Sequence, residues 1–134
     1  MQADFEEKKD NYKLDLSKLK VMTLPRKTVE VAICGEPQKV TIRAFNDEIS
    51  LRLPMITENF PTDGESRIRA LLLEECAGLD HEQAVLLLEN DGAAAGKIVS
   101  EIFKLTDDFY KSREEMRKEA EKNLEAGAAE NTRD

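Results

Sequence analysis

Residues 28–45 read TVEVAICGEPQKVTIRAF, two short apolar alternations about a cluster of turn residues. Val29, Val31 and Ile33 alternate with Glu30, Ala32 and Cys34. After the turn, Val40, Ile42 and Ala44 alternate with Thr41 and Arg43. A period of two marks a half-buried strand. A turn over residues 35–38 (GEPQ) sets Cys34 opposite Lys39. It then pairs Ile33 with Val40, Val31 with Ile42 and Val29 with Ala44, and all six lie on one face. The same register sets Glu30 against Arg43, a favourable cross-strand charge pair. This ribbon constrains the chain more than any other feature, because two strands alone are marginally stable in water. Its apolar face demands a cover, and its edges stay open unless another strand joins them.

The cover must be helical, and from about residue 65 onward the apolar period changes to that of a helix. Ile68, Leu71, Leu72 and Cys76 form one stripe, and Gly78 ends it. Asp80 and Gln83 have capping-box spacing and start a second helix, with Ala84, Leu87 and Leu88 facing inward. The run ENDG (89–92) breaks that helix, and a long one follows from about 93 to about 124. Residues 46–56 support two readings. Asn46 is a good N-cap before Asp47 and Glu48, and Ile49, Leu53 and Ile56 have helical spacing. Ile49, Leu51 and Leu53 also alternate like a third strand. A short helix broken near Pro54 is the better fit. Residues 12–24 are open in the same way: Tyr12, Leu14 and Leu16 alternate, whereas Leu16, Leu19 and Met22 suit a helical turn, and Pro25 ends either. The expected fold is α+β and mostly α, a hairpin at about 28–45 packed on three or four helices, the last of them long. Residues 1–11 read as a disordered acidic start, 12–110 as one domain, and 111–134 as a charged helical extension with a frayed end.

Charge narrows the function classes. The chain of 134 residues has a formal net charge of −8, and 36% of its residues are charged. Every cluster of Lys and Arg has Asp or Glu interleaved, so the positive stripe that nucleic acids and anionic membrane surfaces select is missing. Partners with basic or apolar faces fit better. No apolar run approaches membrane-spanning length. The start MQADFEEKKDNYK lacks the apolar core of a secretory leader. Cys34 and Cys76 lie far apart in no metal or redox motif and read as free thiols. A cytosolic protein is expected.

The residues that invite chemistry do not assemble into a motif. GAAAGK (92–97) is one residue short of a phosphate loop, has Ile98 where a magnesium-binding hydroxyl belongs, and follows no strand. It reads as a helix start whose glycines, Gly92 and Gly96, let a neighbouring helix approach. His81, the single histidine, opens a helix beside Asp80 and Glu82 without metal-ligand spacing. A Cys–His nucleophile would need the fold to bring His81 to Cys34 or Cys76. The acidic pairs, such as Glu74–Glu75 and Asp107–Asp108, point different ways on a helix and read as solvated faces. No catalytic residue, metal or other cofactor is expected.

What remains is surface for a partner. Ile98, Ile102, Leu105 and Phe109 follow i, i+4, i+7, i+11. Ile98 and Ile102 suit the cover of the ribbon. Phe109, Tyr110 and Met116 fall where the helix becomes strongly charged and outruns the domain. The candidate partner-binding residues are Ile102, Leu105, Phe109, Tyr110 and Met116. They would serve a protein partner or self-association.

The order of these features resembles the tail assembly chaperones of long-tailed bacteriophages and prophages. The layout runs through the ribbon VEVAICGEPQKVTIRAF, then NDEISLRL, GLDHEQAVLLL and KIVSEIFKLTDDFYK, and the matching positions are 40–45, an IRAL-like run, and 98–109. The resemblance spans about Val29 to Tyr110 and is one of layout, without an invariant motif. It implies a non-enzymatic protein that keeps the tape-measure protein soluble and presents it and tail-tube subunits for assembly. The rival reading is a small acidic adaptor, of the antitoxin or anti-repressor kind, that masks a basic partner surface.

Overall fold

The computed structural model describes residues 24–132, with side chains to residue 126. The acidic start, the ambiguous stretch up to residue 23 and the side chains of the C-terminal end lie outside the described residues. Strands β1 (Arg26–Ile33) and β2 (Glu36–Arg43) form an antiparallel hairpin. Four helices follow: α1 (Asp47–Asn59), α2 (Gly64–Ala77), α3 (His81–Asn90) and α4 (Gly92–Thr132). The α+β, mostly α architecture expected from the sequence is the one formed. The hairpin lies on α2 and the first half of α4, with α3 beside them and α1 resting on α2.

The register differs from the expected one. Val29 faces Val40, Val31 faces Gln38 and Glu30 faces Lys39, whereas Arg43 faces Arg26. The turn is only Cys34–Gly35, both with positive φ (51° and 83°), the geometry of a type I′ turn whose twist matches the strands. Pro37 was the misleading residue. It sits within β2 opposite Ala32, in a pair that exchanges no ladder hydrogen bonds, so its missing N–H costs nothing. The strands are displaced by an even number of residues, and the predicted apolar face therefore survives the slip. Val31 and Ile42 are almost fully buried on it, and Thr28 and Thr41 touch through their hydroxyls on the outer face at 3.2 Å.

Beneath the hairpin, Leu72, Leu73 and Cys76 of α2 meet Ala84 of α3 and Ala94, Ala95, Ile98, Val99 and Ile102 of α4. The small residues that permit close packing are the alanines. A Cβ on Gly92 or Gly96 would have nothing within 4 Å, so the expectation that these glycines admit a neighbouring helix is corrected. Close approach occurs instead at Gly64, where a Cβ would lie 3.3 Å from Ile56 O and Thr57 Cα of α1. Phe45 stacks edge-on against Phe103, with centroids 5.5 Å apart.

The caps follow the sequence closely. Asn46 Oδ1 accepts from Ile49 N (3.0 Å). Asp80 and Gln83 form the reciprocal capping box, and Gly78, at φ 73°, ends α2. Residues 47–59 are helix rather than strand, and Pro54 does not break that helix. Pro54 is exposed, so the carbonyl it leaves without a donor can be met by water.

Candidate protein-interaction site

Two buried or half-buried polar groups fix the frame on which any surface is displayed. The first is Thr106, whose hydroxyl donates to Ile102 O (2.8 Å) and accepts from Phe45 N (3.1 Å). It thereby satisfies the backbone amide where the chain leaves β2 for α1, a donor that would otherwise be stranded in the core. The second is Asp91, between α3 and α4. Its Oδ1 accepts from Ala94 N (3.1 Å), capping α4, and its Oδ2 accepts from Cys34 N (2.8 Å) in the hairpin turn. One carboxylate thus starts the long helix and pins the ribbon to it. The Cys34 amide, and then that of Ala94, hold its pKa below the ordinary value.

A third cluster marks where the body ends along α4. Asp47, in the first turn of α1, accepts from Tyr110 Oη (2.7 Å) and from both terminal nitrogens of Arg113 (3.2 and 3.0 Å). The Arg113 hydrogen bonds lead in lowering the Asp47 pKa. A planar guanidinium bidentate on a carboxylate is the strong form of such a pair. The guanidinium also lies 4.7 Å from the Tyr110 ring centroid and 5.7 Å from that of Phe109. These long side chains tie α1 to α4.

Beyond Arg113 the helix runs clear. Every side chain from residue 114 to 126 is exposed. At 1.5 Å per residue the stretch to Thr132 is about 28 Å long. Arg117 pairs with Glu114 and, at 2.8 Å, with Glu121 along the helix surface. Met116 is 56% exposed and Leu124 is also bare.

The five residues expected to hold a partner therefore divide. Ile102 is fully buried and Leu105 packs on the core. Ile102 is corrected to a structural residue, because a partner could touch it only by opening the body. Phe109 and Tyr110 are half-buried at the boundary, and Tyr110 is engaged by Asp47. Met116 alone lies on the arm. The sequence reading missed a second apolar pair, Leu51 and Met55 on α1, exposed to 71% and 59%. Its signal was present: once Ile49, Leu53 and Ile56 point inward, Leu51 and Met55 at i, i+4 are left on the outer face.

The chemically suggestive residues stay apart. The His81 imidazole is exposed, 3.4 Å from Glu74. A groove of about 1090 Å³ beside β2 is lined by Cys34 and Cys76, and His81 does not line it. Burial pushes the Cys76 thiol up to about 11, so it is neutral and unreactive near pH 7. Among the described residues, no group of three or more His, Cys, Asp or Glu could hold a metal ion, and no helix is long and apolar enough to cross a membrane. Comparison with protein-family models, with curated proteins and with solved structures finds no match to this chain.

Proposed function

We propose that this protein is a non-enzymatic chaperone of the tail-assembly type, acting in the cytoplasm of a bacterial host. In this reading it keeps a long helical partner, the tape-measure protein, soluble and presents it or tail-tube subunits for assembly. The observation that carries the reading is the projecting second half of α4, which among the described residues packs on no other element and is dotted with exposed apolar side chains. An amphipathic partner helix can lie along such an arm, with Met116 and Leu124 as anchors. The acidic body would keep the complex from aggregating. The layout shared with the phage chaperones supports the same reading.

The test is co-expression with a heptad-rich tape-measure segment, followed by measurement of partner solubility and of complex affinity against salt. The chaperone reading expects a soluble complex whose affinity changes little with salt, since apolar contact dominates. Paired substitution of Met116→Asp and Leu124→Asp should abolish it while thermal unfolding of the body stays put. Binding that collapses as salt rises would instead favour the adaptor that masks a basic surface. A partner that is insoluble with or without this protein would sink the chaperone reading.

A further inference from the structure

α1 is held differently from the helices around it. It buries Ile49 alone, whereas α2 buries Gly64, Leu72, Leu73 and Cys76. Leu53 packs on the core and Ile56 is half-buried, while Leu51 and Met55 are bare on the outer side. Among the described elements, the backbone of α1 lies close to that of α2 alone. Pro54 has no N–H to give to Ser50 O, so the middle of the helix is one hydrogen bond short. Each end adjoins a place where the chain can bend. Before α1 the chain is fixed up to Phe45, whose amide is held by Thr106 and whose ring meets Phe103 edge-on. After it, residues 60–63 are exposed and join α1 to α2. Between these points, Asp47 fastens the start of α1 to α4 through the Tyr110 hydroxyl and the Arg113 guanidinium.

We propose that α1 is a flap that swings off the body as a unit while the hairpin, α2, α3 and residues 94–106 of α4 stay folded, with the Asp47–Arg113 pair as its latch. An element with few buried contacts opens at lower cost than the whole molecule unfolds. The part left behind keeps a core of its own, since Val31, Ile42, Leu72, Ile98 and Ile102 pack among the hairpin, α2 and α4. Opening adds apolar surface. Ile49 and Leu53 join Leu51 and Met55, so a helix that shows one apolar side when closed shows two when open. The latch sits at Arg113, where α4 leaves the body, so the flap and the arm share a joint. The inference does not rest on the chaperone reading, and its test involves no partner.

The test is native-state hydrogen exchange on the whole chain, read amide by amide by NMR at several low urea concentrations. The amides of residues 51–59 should share one opening, at least about tenfold less protected than those of α2 and of residues 94–106. Its dependence on urea should be weaker, because a partial opening exposes less surface than unfolding does. Arg113→Met removes the latch from the α4 side and leaves the sequence of α1 intact. It should speed exchange in α1 about fivefold, the size expected of an exposed but bidentate pair, and leave α2 and residues 94–106 unchanged. Arg117→Met breaks ion pairs on the arm alone and should change none of these rates. Protection and urea dependence in α1 equal to those of α2 would overturn the proposal. So would protection that fades gradually from the ends of α1, which marks fraying. An Arg113→Met chain that leaves α1 exchange as it was, or quickens every element alike, would overturn it too.

Discussion

Residues 94–106 of α4 and residues 114–126 belong to one uninterrupted helix, yet they are held by different forces. The first stretch buries Ala94, Ala95, Ile98, Val99, Ile102 and Thr106 under the hairpin and α2. The second buries nothing and is decorated by exposed ion pairs. Such pairs contribute at most about 1 kcal/mol each, too little to start a helix in water. A helix already nucleated needs only propagation. The body supplies the nucleus, and the arm extends it into solvent at little cost. One element can thus be scaffold at one end and display surface at the other, with Asp47, Tyr110 and Arg113 at the changeover.

The comparison can be broken most severely at Ile102. Ile102→Ala should cost about 2–5 kcal/mol, read as a lower urea midpoint, with loss of the arm's helicity following global unfolding rather than preceding it. Next is Thr106→Val, which keeps the volume and strands the Phe45 amide. It should cost about 1–3 kcal/mol, and the Phe45 amide should exchange faster with solvent.

Asp91 couples the two elements that meet at the start of α4, and acid should uncouple them. Its folded pKa lies below 3.8, as does that of Asp47. Both carboxylates therefore stabilise the fold fully above the unfolded value. That contribution is lost as the pH falls below 3.8 and through the folded values. Asp91→Ala should lower Tm at neutral pH and flatten the decline of Tm in acid. An unchanged acid profile would show that the carboxylate does not pin the turn.

Gly96 tests the scaffold end from the opposite direction. Its Cβ position is open, so Gly96→Ala should stabilise by about 0.5–1 kcal/mol through helix propensity. The smallest effect belongs to the arm: Met116→Ala should change stability by less than about 0.5 kcal/mol. A larger loss would mean that the arm is held by contacts of its own.

Much of the frame could be read in one dimension because the signals are local. Asn46, Gly78, Asp80 and Gln83 announced their caps, and the periods of two and of 3.6 separated ribbon from helices. The hairpin register escaped because a proline inside the sequence of a turn looks the same as a proline on an open edge. Residues 47–59 escaped a firm reading because Ile49, Leu51 and Leu53 satisfy both periods. Exposure along α4 was half legible: a stripe tells which side of a helix is apolar, and it does not tell where the body stops covering it.

Outside residues 46–56, the sequence by itself determined which of the described stretches is strand and which is helix, which face of each is apolar, and that the chain is acidic. Those properties depend on neighbours a few positions away. Tertiary structure alone decided that Asp91 serves both a helix and a hairpin turn, that Asp47 reaches Arg113, that Ile102 is interior while Met116 is not, and that the edge of β2 borders a groove. Each of these joins groups far apart along the chain, and their meeting is set by how the helices stack rather than by any local preference.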